Sequence, residues 1–189
     1  AHRDDDEVRL FTESGHEITH TLPGIVESAK QLPAKSFVLD TEATPYGKDF
    51  ENLGRAGAAP AFAKGAKKAV DDSRWALHVF DILYLDGEEL HNLTYEERRQ
   101  RLRGIELPIK EYPKKDGDFR VKLWENNVNW ATSAEQMTKF AEEVSKVPGS
   151  EGGMFKQSDS KYRLNGNTPL WSKMKSSFEI DSLVVGKKK

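Results

Sequence analysis

The chain has 189 residues, with 29 Lys and Arg against 31 Asp and Glu, a net charge of −2, and no cysteine. That length holds one substantial domain, and a hydrophobic content of 37% with four Trp, nine Phe and five Tyr gives it a core, so a wholly disordered chain is excluded. The near-neutral charge excludes a uniformly basic surface, and the lack of cysteine excludes a disulfide framework, a thiolate zinc site and a cysteine nucleophile.

Any nucleic-acid contact must then come from local patches. No apolar run approaches the ~18 residues that a membrane span needs, and the opening Ala-His-Arg-Asp-Asp-Asp is not a signal peptide. An intracellular protein is expected.

In chain order, residues 7–12 and 17–22 alternate apolar and polar side chains around Ser14-Gly15 and predict a half-buried hairpin. Pro23 opens a predicted helix to about Gln31, with Ile25, Val26 and Ala29 on its buried face. Ser36-Phe-Val-Leu-Asp40 is a predicted core strand that delivers Asp40, Thr41 and Glu42 at its end. Residues 44–60 are rich in Gly, Ala and Pro and are expected to form a loop. Residues 61–70 are expected to be helical, with Lys64, Lys67 and Lys68 on one side.

Residues 75–84 are nearly all apolar or aromatic and predict a central strand. Asp86-Gly87 is a hairpin turn signal, and Thr94-Tyr-Glu-Glu97 is a capping box opening a helix to about Arg103. Residues 119–124 alternate as a strand does. Ser133-Ala-Glu-Gln136 predicts a second capping box, followed by an apolar stripe of Met137, Phe140, Ala141 and Val144. Residues 180–185 predict a last strand. The whole reads as one α+β domain.

Chemistry concentrates in Ser150-Glu-Gly-Gly-Met-Phe-Lys156 and Trp171-Ser-Lys-Met-Lys175. On a strand, Lys173 and Lys175 project from one face. Two ammonium groups there suit a di- or triphosphate, with Glu151 placed to hold a hard cation. Taken singly, Glu42 and Glu151 read equally as strand-end carboxylates paired with lysines, and Phe80 as core. The five histidines show no metal-ligand spacing.

Four motifs in order are Asp40-Thr-Glu42, Phe80-Asp-Ile-Leu-Tyr-Leu-Asp-Gly87, Glu151 to Lys156, and Trp171 to Lys175. The set resembles the nucleotidyltransferase (adenylation) domain of ATP-dependent DNA ligases, most closely the archaeal type, and the resemblance covers essentially the whole chain. It implies the nucleotidyltransferase (ATP-grasp-like) fold, antiparallel sheets flanked by helices. It implies ATP and Mg2+ as cofactors and nicked duplex DNA as partner, sealed through enzyme–AMP and DNA–adenylate intermediates. Glu42 and Glu151 would hold the metal, Phe80 would stack on adenine, and Lys156, Lys173 and Lys175 would contact phosphate.

In that family AMP is carried by a lysine in Lys-x-Asp-Gly-x-Arg, and no such sequence precedes Glu7. Lys114-Lys-Asp-Gly117 matches four positions of it, but lies out of order and has Phe119 where the arginine belongs. Residues 1–189 are therefore expected to be an adenylation domain cut before its nucleophilic lysine and ending where an OB-fold domain begins. As such it would not adenylate itself, and OB-fold and DNA-binding domains would complete it. Glu13 and residues 165–169 stand where the family carries basic residues. The alternatives are a non-catalytic nucleotide- or DNA-binding module derived from a ligase, or an RNA ligase or capping-type nucleotidyltransferase.

Overall fold

Strand β4 (Trp75–Leu85) is the axis of the domain. In this computed structural model the described residues are 1–49, 51–63, 65–107, 123–125, 130–146, 152–164, 166 and 168–175. Strand β3 (Ser36–Pro45) pairs antiparallel with β4 along its whole length. On the far side of β3 lie β1 (His2–Asp4) and then β2 (Glu7–Arg9). The other edge of β4 takes β5 (Glu88–Glu89), antiparallel, and β6 (Leu123–Glu125), parallel. A second sheet has two antiparallel strands, β7 (Gly152–Lys156) and β8 (Trp171–Lys175).

Helix α1 (Pro23–Lys30) begins at the proline, as expected, and buries Ile25 and Ala29. Its first turn is capped from a distance: the Asp72 carboxylate accepts from Gly24 N at 2.6 Å and Ile25 N at 3.1 Å. This satisfies two of the backbone donors that every helix start leaves open. The helix packs into a core of Val8, Leu10, Phe37, Leu39, Leu77, Val79 and Ile82. Helix α3 (Tyr95–Arg103) has the expected capping box, with both Thr94–Glu97 bonds present. The Asp86-Gly87 turn joins β4 to β5 with both residues left-handed (φ 44° and 96°), the geometry of a two-residue hairpin.

Three expectations are corrected. The partner of β2 is β1, and the 7–22 hairpin is reduced to a single Phe11–Glu17 bridge around Gly15. Residues Thr19–Thr21 form a 3-10 turn, closed by Thr21 Oγ1 donating to Ile18 O at 2.7 Å, which leads directly into α1. The helix placed at 61–70 lies instead at α2 (Gly54–Phe62). Its Ala58 and Ala61 are buried, and Phe62 meets Trp75 edge to face at 6.1 Å. Small residues that read as loop are here the contact surface of a closely packed helix. Helix α4 (Ala134–Ser145) has its Ser133 cap, but Gln136 Oε1 accepts from Thr132 N rather than from the cap residue. Met137 is exposed, and Phe140 packs edge-on against Phe155 of β7 at 5.9 Å. The expectations for residues 108–122, Lys64, Lys114 and 180–185 lie outside the described residues.

Candidate functional site

Two bulges in β4 decide which side chains face outward. The register passes from Asp40↔Asp81 to Thr41↔Val79, so Phe80 is an extra residue on β4; a second shift makes Leu83 another. Val79 and Ile82, three apart, would face opposite ways on a regular strand, yet both are in the core. The Phe80 bulge permits this and leaves Asp81 directly beside Asp40 on the other face. Bulges of this kind re-aim side chains and cluster near functional sites. The resulting polar face carries Asp40, Glu42, Asp81 and His78, with Glu42 and His78 directly opposite one another. His78 Nε2 and Tyr46 Oη are 2.7 Å apart.

Asp81 is fully buried, and an ionised carboxylate there requires partners. Arg98 of α3, equally buried, grips it with Nε at 2.8 Å and Nη2 at 2.9 Å. This is a forked pair of charge-assisted bonds. The remaining Arg98 nitrogen donates to Leu93 O at 2.7 Å and Ser160 O at 3.2 Å. Lys156 of β7 reaches the same carboxylate at 3.5 Å, its side chain 10% exposed. Its ammonium lies over the rings of Trp171, 4.2 Å from the centroid, and Tyr95, 4.9 Å. Burial lowers the Lys156 pKa, against the pull of Asp81 and Asp40.

Two further bonds lie at this end, one to the main sheet and one within the small-sheet segment. Tyr162 Oη donates to Asp40 Oδ2 at 3.1 Å, and Trp171 Nε1 donates to Ser160 Oγ at 2.8 Å. Side chains alternate along β8, so Lys173 shares the face of Trp171 and Lys156. It lies opposite Met154, and both are exposed.

The structure thus places Glu42 exposed on the polar face, Phe80 partly exposed at the bulge, Lys156 buried at the junction, and Lys173 exposed on the docked strands. Glu151 and the Lys175 side chain lie outside the described residues. Lys67 and Lys68 are exposed beyond α2, not on a helix. The sequence assigns no role to Asp81, although it stands in the Phe80-Asp motif, and does not single out Arg98, Ser160 or Tyr162. The signal available was Asp81 itself, a charge inside an apolar central strand.

Among the described residues no group of three or more His, Cys, Asp or Glu is placed to hold a metal, and no helix is long and apolar enough to cross a membrane. Mg2+ characteristically takes one or two carboxylates and completes its shell with substrate phosphates and water. The exposed Glu42 carboxylate fits that demand.

The family model "ATP dependent DNA ligase domain" matches residues 1–175. The chain belongs to this family. It is 30% identical to a probable DNA ligase of Kineococcus radiotolerans over 97% of its length, and 31% identical to a DNA ligase of Thermoplasma volcanium over 96%. The near-equal identities show that the likeness is not confined to the archaeal type. The chain spans about a third of the length of these relatives, 33% and 31%. Its fold matches a mycobacterial DNA ligase D complexed with ATP and MES (TM-score 0.63, 22% identity, 92% of this chain and 49% of that one). It also matches the ligase domain of LigD from M. tuberculosis (TM-score 0.62, 23% identity, 92% and 48%). The expected α+β ligase fold is therefore the fold observed.

Proposed function

We propose that residues 1–189 are the adenylation domain of an ATP-dependent DNA ligase that seals nicks in duplex DNA inside the cell. The observation that carries this is the docking of β7–β8 on the polar face of the main sheet. It gathers residues of all four sequence motifs, Asp40, Asp81, Lys156 and Trp171, around one region. In this reading Phe80 stacks on adenine, Glu42 and Glu151 hold Mg2+, and Lys173 and Lys175 contact the phosphates. Lys156 stands buried where the two sheets meet.

The reaction is phosphoryl transfer in three steps. A lysine nitrogen attacks the α-phosphorus of ATP and pyrophosphate leaves. The DNA 5′-phosphate then takes AMP from that lysine, and a 3′-hydroxyl displaces AMP as the phosphodiester forms. Little covalent chemistry falls to the protein, so positioning and charge stabilisation dominate. Bound Mg2+ would neutralise charge on the reacting phosphates; the chain's own residues bind the base and orient the phosphate chain.

The test is titration of the folded chain with ATP in the presence of magnesium, alongside nick sealing by the complete gene product. Saturable ATP binding with nick sealing is expected. A folded chain that binds nicked duplex in a salt-dependent way but no nucleotide would overturn this reading in favour of a DNA-binding module.

A further inference from the structure

The cluster of Arg98, Asp81 and Lys156 joins helix α3, the main sheet and the two-stranded sheet at one buried point. Its two cations, Arg98 and Lys156, share the Asp81 carboxylate, and the Asp40 carboxylate beside Asp81 also pulls on Lys156. Both cations are held further by local partners. The Arg98 nitrogen that does not touch Asp81 bonds two backbone carbonyls, and Lys156 lies over two aromatic faces that attract cations. Among the described residues, the partners of Lys156 all belong to the junction. To reach a phosphate its ammonium would have to leave a carboxylate and both rings. Trp171, one of those rings, pairs directly with Lys156 across the ladder. It is also pinned by Ser160, whose carbonyl Arg98 holds.

We propose that Lys156 is a tether rather than a phosphate contact: with Asp81 and Arg98 as positioning residues, it fixes where β8 lies on the main sheet and thereby aims Lys173. The last clause rests on the nucleotide reading given above; the tether itself does not. Arg98 lies on α3, outside the strand motifs, and acts on the phosphate end only through this chain of contacts.

The tether is tested on the purified chain by a double-mutant cycle in thermal stability. Asp81→Asn removes the one carboxylate that both buried cations touch and is expected to lower Tm by about 10 °C. Lys156→Met keeps the Asp81–Arg98 fork and the packing against the rings, and is expected to cost about 3 °C. The asparagine should cost less in the methionine background, because only one cation then loses the Asp81 carboxylate. Strictly additive losses would overturn the tether. Should Asp81→Asn fail to fold, amide hydrogen exchange in Lys156→Met decides. Protection in β7–β8 should fall about tenfold while β3–β4 keep theirs; unchanged protection rejects the proposal.

The phosphate question is read from the ratio of ATP to adenosine affinity. Lys173→Met should cut that ratio about tenfold, the loss of one charge-assisted contact. Lys156→Met should cut it far less, through misaimed Lys173 alone, and should add little when combined with Lys173→Met. A full, independent tenfold loss from Lys156→Met would make Lys156 a phosphate ligand and overturn the proposal. If the unmutated chain binds no ATP, the nucleotide reading fails, while the stability cycle still decides the tether.

Discussion

Tyr162 donates a hydrogen bond to Asp40 over 3.1 Å although 122 residues separate them in sequence. The bond ties the segment between β7 and β8 to the polar face of β3. The Tyr162 phenol is held protonated well above its ordinary range, first by burial and then by the Asp40 charge. A group whose pKa is raised on folding contributes stability that is fully present below its unfolded value, here about pH 10, and is lost as pH rises beyond it. Tyr162→Phe should cost about 2 kcal/mol at neutral pH, the worth of a bond to a charged acceptor. The deficit should then shrink above about pH 10. Lys156, lowered by burial, contributes to both proteins alike. Urea unfolding of the two proteins across pH 7–11 checks this, and a deficit independent of pH would contradict it.

Helix α1 depends on a residue far outside it. Asp72 is buried and accepts from two backbone nitrogens in the helix's first turn, in place of the Ser, Thr, Asp or Asn that usually precedes a helix. Leu22 occupies that position and offers no side-chain bond. Asp72→Ala should therefore cost about 2 kcal/mol, the upper range for a lost cap, because two donors are left open and buried. Thr94→Ala, in the exposed box of α3, should cost nearer 1 kcal/mol. Equal losses, measured by thermal unfolding, would show that burial of the Asp72 cap adds nothing.

How much of this was legible in the sequence depends on how far apart the interacting residues lie. Helix α3 and the Asp86-Gly87 turn are announced by residues within four positions of one another, and they appear where expected. Helix α2 was displaced because Gly54, Gly57 and Pro60 are loop-forming residues by propensity, and only packing of Ala58 and Ala61 against the core overrides them. The polar face was half legible. Glu42 and Lys173 announce themselves as charges next to or within strand-like runs, although β3 does not end at Asp40 as expected but carries Glu42 inside it and runs on to Pro45. The junction did not, since Arg98 sits in a run of charges, Tyr95-Glu-Glu-Arg-Arg-Gln-Arg, that reads as a solvated helix face. Its burial follows from Asp81, 17 positions earlier, and from a bulge that no local pattern predicts.

Glu42 lies exposed and opposite His78 in the β3–β4 ladder, on the polar face where the proposed reading puts a cation brought in by the nucleotide. Glu42→Gln keeps the shape and removes the charge. It should weaken ATP binding about tenfold with magnesium present, and leave adenosine binding unchanged. Titration with ATP at several magnesium concentrations is the check. An equal loss with adenosine would mean that Glu42 touches the nucleoside rather than the metal.

Phe80 gives the complementary case. As the extra residue of a bulge it is not committed to the core in the way Val79 and Ile82 are, and it remains partly exposed. An aromatic face in that position can stack on a base, and such contacts are worth about 1 kcal/mol beyond the area they cover. Phe80→Ala should therefore weaken adenosine and ATP equally, by about tenfold, because the contact is to the part the two ligands share. Phe80→Tyr should restore binding. Thermal stability should fall by less than the roughly 3–5 kcal/mol typical of deleting a fully buried phenylalanine. A large stability loss with nucleotide affinity intact would make Phe80 a core residue and remove the base platform from the site.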